Sequence, residues 1–125
     1  MLKTILLVGS GGFIGSVARY FVSKLNLSIQ FYGIPLGTLL VNVSGSLLLG
    51  FLAGLTIRNV FLTQEWRLFL MVGICGGFTT FSTFTAENLQ MVQNGQYANA
   101  FFYTISSLIL GFAAVYLGFI LSKLI

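Results

Sequence analysis

The stretch Gly76-Gly77-Phe78-Thr79-Thr80-Phe81-Ser82-Thr83-Phe84-Thr85 decides how this chain is read. It places two glycines, five hydroxyls and three phenylalanines in ten residues, in the middle of an apolar segment of membrane length. A lipid-facing helix would carry leucine and valine there. Irregular backbone at mid-bilayer depth is tolerated only where it is buried in protein or lines a wet cavity. Something polar or ionic is therefore expected at the centre of the membrane.

Outward from that stretch, the apolar run covers Trp66–Gln93 and is 28 residues long. As one helix it would measure about 42 Å at 1.5 Å per residue, against a hydrocarbon core of about 30 Å. Tilt absorbs part of such an excess. A break at Gly76–Thr80 would absorb it too, freeing main-chain carbonyls and amides at the depth where broken helices build ion sites. Three further runs, Thr4–Leu25, Ile34–Ile57 and Asn99–Leu124, each meet the roughly 20 residues a spanning helix needs. Their connections, Asn26–Gly33, Arg58–Glu65 and Asn94–Ala98, are short. The expected fold is an all-α membrane protein: one domain, residues 1–125, of four transmembrane helices with the third broken. The first run is too long for a signal peptide, lacks a small-residue cleavage site and continues through Gly15–Arg19, so it is expected to remain as the first helix.

Composition agrees with the lipid bilayer as solvent. The chain has 125 residues, 57% hydrophobic and only 6% charged, against about 25% charged in a soluble domain. There is no histidine, Glu65 and Glu87 are the only carboxylates, and Cys75 is the only cysteine. Acid–base constellations, zinc clusters and intrachain disulfides cannot be assembled from that set, so an enzyme is not expected. The net charge of +4 is no nucleic-acid signal. Lys3, Lys24, Arg58, Arg67 and Lys123 fall near segment ends, where they anchor at headgroups. The side holding both termini carries Lys3, Arg58, Arg67 and Lys123; the other carries Lys24 and Arg19. That weak bias mildly favours cytoplasmic termini and leaves insertion in both orientations open.

Small residues four apart, Gly11 with Gly15 and the series Ser46, Gly50 and Gly54, mark helix interfaces. Asn42 lies inside the second helix and needs polar partners, supplied by protein or water. Thr38, four residues earlier on the same face, extends a polar stripe. Phe81 and Phe84 are three apart and interleaved with Ser82, Thr83 and Thr85; a phenyl ring edge is positive and meets an anion without any fixed charge. Glu87 and Arg19 are the charged residues inside the runs: Glu87 as a pore or network carboxylate, Arg19 as a vestibule attractor or an interfacial anchor. Tyr103, Ser106 and Ser107 give the fourth helix a polar face, with Tyr103 and Ser107 on one path. Carbonyls and hydroxyls suit a bare cation; amides, hydroxyl hydrogens and ring edges suit an anion. These residues alone leave the ion open.

Taken together, the string Gly76–Phe84, Gly37-Thr38 with Val41-Asn42, Gly11-Gly12 with Arg19-Tyr20, and Glu87 resemble the Fluc/CrcB fluoride channels over nearly the whole chain. The resemblance implies an antiparallel homodimer of dual topology in the cell inner (plasma) membrane, with two fluoride pores and fluoride export as its task. It also implies one structural sodium ion (Na+), bound by the main-chain carbonyls of Gly76 and Thr79 from each subunit. By motif position Asn42, Phe81 and Phe84 take the pore, with Thr38, Ser82, Thr83, Tyr103 and Ser107 as polar lining and Glu87 and Arg19 at pore or vestibule positions. Where some relatives extend the fourth-helix polar track with serine, this chain has Gly111. A proton-coupled multidrug exporter would need a carboxylate in the first helix, and Thr4–Leu25 has none. A structural subunit without transport activity is the other alternative, which ion flux through the isolated protein distinguishes.

Overall fold

A computed structural model describes residues 1–24, 26, 30–60 and 62–125. Helix α1 covers Leu2–Ser23, followed by a two-stranded hairpin of β1 (Gln30–Phe31) and β2 (Ile34–Pro35). Helix α2 covers Leu36–Ile57. The third span starts as α3 (Gln64–Arg67), widens into a π-helical stretch at Leu68–Cys75, and returns to one turn of α-helix, α4 (Gly76–Phe78). Two residues later it resumes as α5 (Phe81–Gln93), and α6 (Tyr97–Ser122) completes the chain. Four runs, Leu2–Ser23, Leu36–Ile57, Gln64–Gln93 and Tyr97–Ser122, are long and apolar enough to cross a membrane.

These limits differ from the sequence expectation by about two residues at several ends, for local reasons. The expected end of the first helix at Leu25 falls outside the described residues. Ile34 and Pro35 leave the second helix to pair with Phe31 and Gln30. Tyr32 and Gly33, the two turn residues, have φ of 51° and 79°. Two consecutive positive φ angles match the tight turn whose twist suits a hairpin. The third span begins at Gln64 because the Thr63 hydroxyl accepts the Trp66 amide, an N-terminal cap.

The packing is the reverse of a soluble core. Large apolar side chains such as Phe13, Phe21, Phe112 and Leu117 face outward, while many of the buried positions are glycine. Lipid tails are as apolar as leucine, so helices associate by close backbone approach instead of by burial. Gly11 and Gly12 of α1 meet Gly73 and Gly77 of the third span, and a methyl at Gly77 would strike the Gly12 carbonyl; one at Gly15 would overlap the Ile74 carbonyl and the Phe78 amide. The most extensive helix interface is α2 on α6. There Gly50 and Gly54 lie against Val115 and Ser122, and Gly118 lies against the Leu47 carbonyl. The series Ser46, Gly50, Gly54 therefore divides: its glycines pack, and Ser46 lines a cavity.

Candidate functional site

Helical geometry stops at Phe78 and restarts at Phe81. Thr79 (φ −77°, ψ 154°) and Thr80 (φ −150°, ψ 119°) are extended. The cause is visible in where three amides go. Thr79 N–H still closes on Cys75 O at 3.0 Å, with the Thr79 hydroxyl donating to the same oxygen at 2.9 Å. The Thr80 N–H leaves the helix and donates to Asn42 Oδ1 of α2 at 2.8 Å. The Thr83 N–H is capped by Thr80 Oγ1 at 3.2 Å.

In a continuous helix those last two amides would close on the carbonyls four residues back. For Thr80 that carbonyl is Gly76, and for Thr83 it is Thr79. Both carbonyls therefore lose their helical donors. Asn42 holds the arrangement from the other side, since its Nδ2 donates to Thr80 O at 3.0 Å. Its carboxamide thus pairs with both polar groups of Thr80, as a strand partner would. One lone pair of the carboxamide oxygen and one Nδ2 hydrogen remain.

Beside this clamp lies a cavity of about 280 Å³ between α2, the interruption and α6. It brings together Asn42, Phe81, Phe84 and Ser107, with Ser46 and Gly111. Ser107 Oγ is buried with no hydrogen-bond partner among the described residues, an arrangement that normally has a reason. At Gly111 an added methyl would meet nothing within 4 Å, so this part of the fourth-helix track is open space. Phe81 is 77% exposed, its ring 5.9 Å from that of Phe84, which in turn sits 5.1 Å from Tyr103.

The other candidates lie elsewhere. Arg19 and Thr83 share a second cavity, about 210 Å³, with Ser16, Thr38 and Thr80. Thr80 thus stands between the two cavities. Ser82 is exposed, its hydroxyl 3.4 Å from that of Thr80. Thr38 and Tyr103 are fully buried and engaged by Glu87: Thr38 Oγ1 donates to Oε1 and Tyr103 OH to Oε2, both at 2.6 Å. Glu87 is therefore the acceptor of a polar network, and it lines a third cavity of about 410 Å³ at the hairpin end of the bundle, beside Asn26 and Gln90. Among the described residues there is no group of three or more His, Cys, Asp or Glu that could hold a metal ion.

Three polar residues outside the motifs also take part. Asn26, from the connection after α1, joins the Glu87 network. Asn88 donates to Phe84 O and accepts from the Thr104 hydroxyl, both at 3.0 Å, which pins α5 to α6 one position beyond Glu87. Nothing in the sequence pattern distinguishes Asn26 from an ordinary loop asparagine. Asn88 and Thr104 were readable only as polar residues within apolar runs.

A family model described as CrcB-like protein, Camphor Resistance (CrcB), matches residues 6–119. The curated relatives include a protein named fluoride-specific ion channel FluC from Azobacteroides pseudotrichonymphae, 47% identical over 123 residues, which is 98% of both chains. Proteins of the same name from Chlorobium luteolum and Pyrococcus abyssi are each 43% identical. The first alignment covers 96% of this chain and 92% of the relative; the second covers 98% of both.

Proposed function

The chain belongs to the CrcB family, a multi-pass membrane protein and not an enzyme, and on that footing we propose that it is a fluoride-selective channel. Its task is to let fluoride leave the cytoplasm across the cell inner membrane. The observation that carries this reading is the cavity at the interruption of the third span. Its polar lining is Asn42, Ser46, Thr79, Thr80 and Ser107, with the Phe81 and Phe84 rings beside them. None of its lining residues carries a charge. A small, strongly hydrogen-bonding anion exchanges its hydration for such donors at less cost than chloride, while the rings exclude water.

The working unit is an antiparallel homodimer of dual topology. In support, Phe81 lies uncovered at 77% exposure on the cavity wall, and the charge bias between the two ends is weak. A second copy supplies the missing wall. The diverted carbonyls of Gly76 and Thr79 form a neutral oxygen donor set that fits a structural sodium ion, with no carboxylate cluster nearby to favour a divalent ion. When bound, sodium supplies positive charge that offsets the cost of an anion in low dielectric. The test is passive efflux from liposomes containing only this protein. Fluoride release with chloride retained supports the channel; release of neither ion defeats it. Cysteines placed at the termini should label from both membrane faces, and labelling from one face alone rules out dual topology.

A further inference from the structure

We propose that Asn26 is a positioning residue for the pathway, fixing the direction of the Thr38 hydroxyl proton and so holding the Thr38 and Tyr103 donors on Glu87. The inference rests on the channel reading above, and its argument is local. The Asn26 side chain makes four hydrogen bonds to described residues. Its Oδ1 accepts from the amides of Gly37 at 2.6 Å and Thr38 at 3.3 Å, and its Nδ2 donates to Thr38 Oγ1 at 3.1 Å and Glu87 Oε1 at 3.4 Å.

The first amides of a helix have no partner within it. Pro35, at the N-cap of α2, offers no side-chain acceptor, and Asn26 fills that role from the preceding connection. Gly37 makes room for it, since a methyl there would lie 2.7 Å from Asn26 Oδ1. Because only the amide oxygen can accept from Gly37 and Thr38, the orientation of the carboxamide is fixed and its nitrogen faces Thr38 and Glu87.

A threonine hydroxyl has one proton and two lone pairs. Asn26 Nδ2 takes a lone pair of Thr38, leaving the proton to Glu87 at 2.6 Å. The single proton of Tyr103 goes to the other carboxylate oxygen. While this arrangement stands, neither hydroxyl has a proton with which to trap a passing ion. Thr38 also borders the cavity that holds Arg19, so the direction of its hydroxyl decides what that cavity presents. Without the Asn26 amide, the hydroxyl is free to turn.

Asn26→Asp separates capping from positioning. It keeps an oxygen for the Gly37 and Thr38 amides and replaces the donor with a second carboxylate facing Glu87. Among the described residues, the ionisable groups facing that pair are Tyr103 on α6 and, across the cavity Thr38 borders, Arg19 and Tyr20 on α1. Two carboxylates as close as the Asn26 and Glu87 side chains, 3.4 Å apart, share a proton. At low pH the shared proton restores a donor; as pH rises it is lost. Fluoride efflux through Asn26→Asp, corrected for protein-free vesicles, should match wild type at pH 5.5 and fall about tenfold by pH 8, while wild type stays flat. An infrared band of a protonated carboxylic acid at neutral pH, present in the variant and absent in wild type, reads the same proton without any transport. A variant with flat, wild-type efflux and no such band overturns the proposal and leaves Asn26 a cap. If Asn26→Asp does not fold, Asn26→Ala decides: reduced efflux from folded protein is expected, and wild-type efflux overturns the role. Absence of fluoride efflux from the wild type would instead refute the channel reading, which the infrared band does not depend on.

Discussion

Replacing Asn42 with Asp tests a role seen in the structure and a role proposed for the same side chain. Asn42 clamps Thr80 through two hydrogen bonds of 2.8 and 3.0 Å, and the proposed channel uses its remaining amide hydrogen for the ion. An ionised Asp retains the acceptor for the Thr80 amide but sets an oxygen against the Thr80 carbonyl. The loss of a hydrogen bond, together with a part-buried charge lacking a partner, costs about 3–4 kcal/mol. The penalty falls on the ionised form alone, so it is relieved as the side chain takes up a proton. A protonated Asp is a near-isostere of the amide for clamping: its O–H donates to the Thr80 carbonyl and its C=O accepts the amide. It has no second hydrogen for an ion.

Unfolding in detergent and fluoride efflux, each measured at pH 5 and pH 7.5, therefore separate the roles. Stability should be higher at pH 5 than at pH 7.5, and flux should remain lost at both. A variant as stable as wild type at pH 7.5 refutes the clamp. Flux that returns in step with stability refutes Asn42 as a donor to the ion.

Ser107→Ala removes a buried hydroxyl that has no partner among the described residues, so stability should be unchanged or rise by up to about 1 kcal/mol while fluoride flux falls; unchanged flux would make the hydroxyl idle. Phe81→Ile and Phe84→Ile keep apolar bulk and remove the ring edge, so folded protein with strongly reduced flux is expected from both, with near-normal flux as the contrary result. Phe84→Ile should also cost stability, because the Phe84 ring packs on Tyr103. Replacing all sodium by a large organic cation should lower both flux and the thermal stability of the assembly; no change in either would remove sodium from the account.

The interruption of the third span was legible because glycine and hydroxyl residues at that depth have few other uses, and Asn42 because a carboxamide in hydrocarbon must find partners. What escaped was the partner itself. Pattern reading put Thr38 and Asn42 on one stripe, yet Thr80 comes between them, taking Asn42, while Thr38 turns to Glu87. The π-helical stretch Leu68–Cys75 is uniformly apolar apart from Gly73, and such a run carries no periodicity from which a wider helix could be read. The hairpin was hidden by the apolarity of Ile34, which reads as the start of the next helix, although Gly33 was its turn signal. Asn26 acts across the fold, twelve residues from Thr38 in sequence and sixty-one from Glu87, and no local spacing encodes such a contact.

The central claim is a pore selective for fluoride, and the most direct measurement is the reversal potential of purified protein in a planar bilayer with fluoride on one side and chloride on the other. The account predicts current that reverses far toward the equilibrium potential of fluoride, with the same value whichever side receives the protein. Reversal near zero, meaning that chloride passes as readily, would contradict it.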